Sequence, residues 1–147
     1  MVPTTTELVV LTIHLIATAA MTGVIWFVQV VHYPLFAAVG DSNFVDYERE
    51  HTRRTGFVVG PFMAAEGVTT LWLFFAPVDG RLLPLVGGLL LAVVLGSTIA
   101  VQVPLHDTLS TTPERAAMQR LVRSNWIRTI GWSLRTVVAA VILISAV

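Results

Sequence analysis

An all-α membrane protein, folded as a four-helix transmembrane bundle, is what this sequence predicts, and three observations carry the prediction. Hydrophobic residues fill 55% of the 147 positions and charged residues only 12%, about half the roughly 25% charge of a soluble domain. The mean hydropathy is +0.79. The apolar residues gather into four stretches, about 8–31, 57–76, 82–103 and 126–147, each close to the roughly 20 residues a helix needs to cross the hydrocarbon core. Lipid forces every backbone polar group to be satisfied internally, so only helices or a closed barrel can span it, and stretches this long exclude the barrel. The spans occupy over half the chain, which reads as a single domain, 1–147.

The elements follow in order. Thr4, Thr5 or Thr6 can cap the first helix. No basic residue precedes it, since the first arginine is Arg49, and its apolar run is too long for a signal-peptide core. The run ends at Gln29, His32 and the helix-breaking Pro34. The charged connection from Asp41 to Arg54 repeats Phe44, Tyr47, Glu48 and His51 at helical spacing, which predicts a short interfacial helix capped by Asp41 or Ser42. The second span contains Gly60-Pro61, a kink signal, and ends before the turn Pro77-Val78-Asp79-Gly80. Gly87, Gly88 and Gly96 in the third span permit close packing, and that span leaves the membrane at Pro104. Thr112-Pro113 reads as a cap with proline in the first turn of the last helix. Val28-Gln29-Val30 and Val101-Gln102-Val103, each near a Pro-Leu and a His, suggest a parallel repeat of two helix pairs.

Charge sets the orientation. Arg49, Arg53, Arg54, Arg115, Arg120, Arg123 and Arg128 fall on or near one face and Arg81 alone on the other. The positive-inside rule makes the arginine-rich face cytoplasmic and leaves both termini outside, in a multi-pass inner (plasma) membrane protein. The absence of cysteine excludes thiolate and disulfide chemistry, and a net charge of zero gives nucleic acid no electrostatic footing.

Three segments bring a histidine to the arginine-rich face: His32, His51 and His106. Imidazole is the commonest metal ligand, and three histidines with an open position suit zinc, copper or iron. His14 is 18 residues from His32, on the same helix face but roughly 27 Å away, so it belongs to the opposite half. Asn125, Arg128, Trp132 and Arg135 share one face of the fourth span. A charge at the depth of Arg135 costs about 2.5–3.5 kcal/mol on insertion scales and needs a partner. Glu66, the one acidic residue inside a span, is the expected partner, with His14 the second candidate for Glu66. Arg128 can snorkel to the interface. Trp26, Trp72, Trp126, Trp132, Tyr33 and Tyr47 read as an interfacial aromatic belt, and Met21, Met63 and Met118 as packing residues.

The pieces Trp26 to Pro34, Val101 to His106 and Asn125 to Thr129 resemble a family of small uncharacterised bacterial four-helix membrane proteins over nearly the whole chain. More distantly, Pro104, Leu109, Trp132 and Arg135 are similar to the pattern of the anthrone-oxygenase-like membrane family. That resemblance implies oxidoreductase chemistry on an apolar aromatic or quinone-like substrate. This sequence lacks the family's asparagine after the third helix and its histidine in the fourth.

The expected function is a membrane-embedded, metal-dependent oxidoreductase acting on a lipophilic small molecule. His32, His51 and His106 hold the metal, or two of them a haem. Gln29, Gln102 and Asn125 orient ligands from behind. Arg128 steadies an anionic or carbonyl oxygen, and Glu66 and His14 move protons deeper in the bundle, with Arg135 beside them. Two alternatives stand beside it: a proton-coupled transporter using Glu66, Arg135 and His14, and a structural subunit. The lipid bilayer and a lipophilic molecule are the implied partners, with a homo-oligomer left open.

Overall fold

A computed structural model describes residues 2–147, and it is helical nearly throughout. Four helices are long and apolar enough to cross a membrane: α1 (Thr5–Ala38), α2 (Asp41–Phe75), α3 (Leu82–Leu109) and α4 (Arg115–Ala146). They run up and down as a multi-pass bundle. α4 packs against both α1 and α3, and α2 closes the ring by packing on α1 and more lightly on α3. Large apolar side chains such as Ile16, Phe57, Leu71, Leu89, Ile130 and Val137 stand exposed around the outside, as a lipid-facing surface requires.

Helix starts follow local chemistry. Thr4 caps α1 in a reciprocal capping box with Glu7, satisfying two otherwise orphaned backbone donors. α2 is capped by Gly40 and not by Asp41 or Ser42, with Asp41 instead in its first turn, where a carboxylate opposes the positive end of the helix. α4 begins at Arg115 after Glu114, with no side-chain cap; Thr112 and Pro113 precede it. Gly80, at φ 68°, supplies the left-handed residue of the turn between α2 and α3.

Prolines do not end the helices as expected. α2 runs unbroken through Pro61, so the helix expected at the interface is not separate; it forms the first turns of α2, because nothing between Arg54 and Phe57 interrupts the ladder. α1 and α3 continue past Pro34 and Pro104 by widening. A π turn occupies Val28–His32 in α1 and Thr98–Gln102 in α3, each beginning six residues before its proline (28 to 34, 98 to 104). The amides of Tyr33 and Val103 reach back five residues to the carbonyls of Val28 and Thr98. The wider turn lies where the proline ring meets the preceding carbonyls in a regular helix. The repeat of the two helices is therefore registered by the prolines, three residues away from the glutamine echo in the sequence.

The interior has three layers. Near the arginine-rich face, Met21, Ile25, Tyr33, Phe36, Phe44 and Trp132 belong to the larger apolar cluster. Near the other face, Leu11, Leu73, Ile142 and Ala146 form a smaller one. A polar layer of His14, Thr18, Glu66, Thr69, Thr70 and Arg135 lies between them, all buried. The tightest of the glycine contacts is at Gly131, where an added Cβ would sit 2.4 Å from Val94 Cγ2. Gly87 and Gly88 lie in ordinary contact range, whereas Gly96 faces open space and brings no helix near.

Candidate functional site

The three histidines of the arginine-rich face meet. His32 Nε2 lies 2.7 Å from His51 Nδ1, and the ring centroids are 4.4 Å apart. The His51 and His106 centroids are 5.6 Å apart. α1 delivers His32 from the end of its π turn, α2 delivers His51 from its fourth turn, and α3 delivers His106 just beyond Pro104. Phe36 packs edge-on against both His32 (5.2 Å) and His51 (5.4 Å), fixing the ring planes from beneath.

Two residues outside the expected set complete the cluster. Glu48 is fully buried and one carboxylate oxygen accepts from His106 Nδ1. Its other oxygen, Oε2, is buried with no hydrogen-bond partner among the described residues. The Tyr33 hydroxyl lies 2.9 Å from His106 Nε2 and accepts from Arg128 Nη2 at 3.0 Å. A guanidinium can only donate. The tyrosine proton is therefore free to point at His106 Nε2, and a neutral His106 carries its own proton on Nδ1, toward Glu48. The result is a chain, Arg128 to Tyr33 to His106 to Glu48, in which each donor has an acceptor. Its signal in the sequence is the pair Glu48 and His51, three residues apart on one helix, a spacing that turns a carboxylate and an imidazole to the same face.

The other expected residues divide between this cluster and two separate networks. Asn125 Nδ2 donates to Gln29 Oε1 at 2.9 Å, and Arg128 Nε donates to Asn125 Oδ1 at 2.8 Å, so Gln29 and Asn125 hold Arg128 from behind. Arg128 is buried and does not snorkel. Gln102 is elsewhere, accepting from Ser97 and donating to Ser124; it staples α3 to α4. Glu66 pairs with Arg135 (3.1 Å) and accepts from Trp132 Nε1 (2.9 Å). Arg135 also donates to the Gly87 carbonyl and to Thr70. His14 takes Thr69 at 2.9 Å as its partner and makes no bond to Glu66. These polar residues therefore fall into separate hydrogen-bonded networks. Trp132 and Tyr33 are 1% and 3% exposed and do not belong to an aromatic belt, whereas Trp26 and Trp126, stacked edge to face at 5.7 Å, remain at the surface.

Two cavities touch the imidazoles of the cluster. A lateral cleft of about 740 Å³ between α1 and α2 has His32 and His51 in its wall. A narrower chamber of about 210 Å³ inside the bundle touches Tyr33, His51, His106, Arg128 and Trp132. His51, Val24, Val28, Thr55 and Val59 border both. At the outer rim Glu50 accepts from both Arg53 and Arg54, and these two guanidiniums hold its carboxyl down at about 2.

Among the described residues no group of three His, Asp or Glu side chains is arranged ready to hold a metal ion. The ring nitrogens instead face one another and the tyrosine. No protein-family model matches the chain, and neither a curated protein nor a solved structure matches it.

Proposed function

We propose that this protein is a membrane-embedded, metal-dependent oxidoreductase acting on a lipophilic small molecule, with its site at the cytoplasmic face and both termini outside. The single observation that supports it most is the meeting of three imidazoles from three helices around a buried carboxylate whose second oxygen is unpartnered. An orphaned buried carboxylate oxygen costs about 1–3 kcal/mol or more, and a cation is the partner that relieves it best. Imidazole with carboxylate is a donor set for zinc, copper or iron. His32, His51 and His106 would hold such an ion, with the unpartnered Glu48 Oε2 as the oxygen donor. The metal, when bound, would supply electron transfer or polarisation of a ligand oxygen. Tyr33 and Arg128 line the inner chamber and would offer hydrogen bonds to such an oxygen there.

Metal analysis of protein purified in detergent tests the reading. Wild type is expected to hold about one transition-metal ion per chain, and His32→Ala, His51→Ala and His106→Ala to hold far less while still folding. Metal-free wild type that stays empty after exposure to zinc, copper and iron removes the proposal. The transporter alternative draws less support, because Glu66 and Arg135 have protein partners on every side and a proton carrier needs a group that can let go of them.

A further inference from the structure

The cleft between α1 and α2 is apolar along most of its wall and polar at one end. Gly23, Val24, Phe27, Val28, Val58 and Val59 form its apolar wall, and His32 and His51 stand at its polar end. Phe27, Phe57 and Val58, 58%, 70% and 52% exposed, face the surroundings beside it. Along α1 the distance from Gly23 to His32 is nine residues, or roughly 14 Å at 1.5 Å per residue. The cleft therefore joins the lipid-facing surface to the imidazoles sideways. His32 Nδ1 and His51 Nε2, the nitrogens not used in the contact between the two rings, have no hydrogen bond among the described residues. At the rim Arg53 and Arg54 share the single carboxylate of Glu50.

We infer that this cleft is a binding site, entered laterally from the bilayer, for a lipophile whose apolar body lies along Gly23 to Val28 and whose single uncharged hydroxyl reaches the His32–His51 pair. The site deepens the oxidoreductase reading, on which the role of this molecule as substrate rests; its occupancy can be measured without that reading. A hydroxyl matches the nitrogens because it both donates and accepts. Gly23 leaves the wall open: a Cβ built on it meets no heavy atom within 4 Å, so a larger side chain grows into the cleft and not into the bundle.

The experiment is photolabelling in lipid nanodiscs with a dodecanol that carries a mid-chain diazirine, its alkane counterpart serving as the headless control. The alcohol should label peptides containing Gly23 to Val28 and Val58 to Val59 at least tenfold more than the alkane. Gly23→Phe should lower that labelling at least tenfold, and His51→Ala several-fold. Val58→Trp fills the cleft from the opposite wall and should act like Gly23→Phe if that variant fails to fold. Equal labelling by alcohol and alkane identifies a passive acyl-chain groove and overturns the inference, as does undiminished labelling in both filled variants. Metal content measured on the same samples separates the two readings: loss of labelling specificity in metal-loaded protein rejects the cleft site alone.

Discussion

Arg128 Nη2 stands 3.0 Å from the hydroxyl of Tyr33, 95 positions earlier in the chain. The contact ties the last helix to the end of the first and closes the chain of hydrogen bonds that ends at Glu48. It exists because the π turn at Val28–His32 inserts an extra residue just before Tyr33. One more residue rotates the following side chains by about 100°, and Tyr33 turns inward.

Replacing Tyr33 with Phe removes one hydroxyl, takes from Arg128 Nη2 one of its two acceptors (Asn125 Oδ1 remains) and leaves His106 Nε2 without its partner. The expected loss is about 1–3 kcal/mol, read as a lowered midpoint in detergent-driven unfolding. Tyr47→Phe, at a 37% exposed position with no hydrogen bond to this chain of groups, should change it little.

Glu66 and Arg135 form a fully buried pair within the bundle. Breaking such a pair by removing one partner costs about 3–5 kcal/mol, while removing both charges costs much less. Glu66→Gln and Arg135→Met should therefore each destabilise strongly, and the double variant should be more stable than the sum of the two losses. Strict additivity in that double-mutant cycle would mean the pair carries no coupling.

Gly131 and Gly23 should respond oppositely to alanine. At Gly131 the added methyl meets Val94, a buried branched side chain with little freedom to withdraw, and overpacking of that kind costs about 1–3 kcal/mol, more than the roughly 1 kcal/mol of helix propensity regained. At Gly23 only the propensity gain remains. Thermal midpoints should fall for Gly131→Ala and rise slightly for Gly23→Ala.

The four spans were legible because length and composition alone constrain a chain in lipid. The meeting of His32, His51 and His106 was legible from depth, since each follows the end or precedes the start of an apolar run, and the Glu66–Arg135 pair from the cost of leaving either alone. Glu48 was not legible as a site residue, because Asp46, Glu48 and Glu50 alternate in a charged segment that reads as solvated; only its spacing to His51 separates it from its neighbours. In the sequence Tyr33 and Trp132 look like belt residues, because composition near a span end does not report which way a ring points. The prolines misled for a related reason. Their helix-breaking effect is a property of the regular α-helix, and the π turns ahead of Pro34 and Pro104 remove the clash.

X-ray absorption at the edge of the bound metal tests the account most directly. Metal-loaded wild type should give the outer-shell scattering of two or more imidazoles together with an oxygen ligand, and Glu48→Gln should lose or lengthen the oxygen contribution. A spectrum without imidazole scattering, or one unchanged when His32, His51 and His106 are all replaced by alanine, would contradict it.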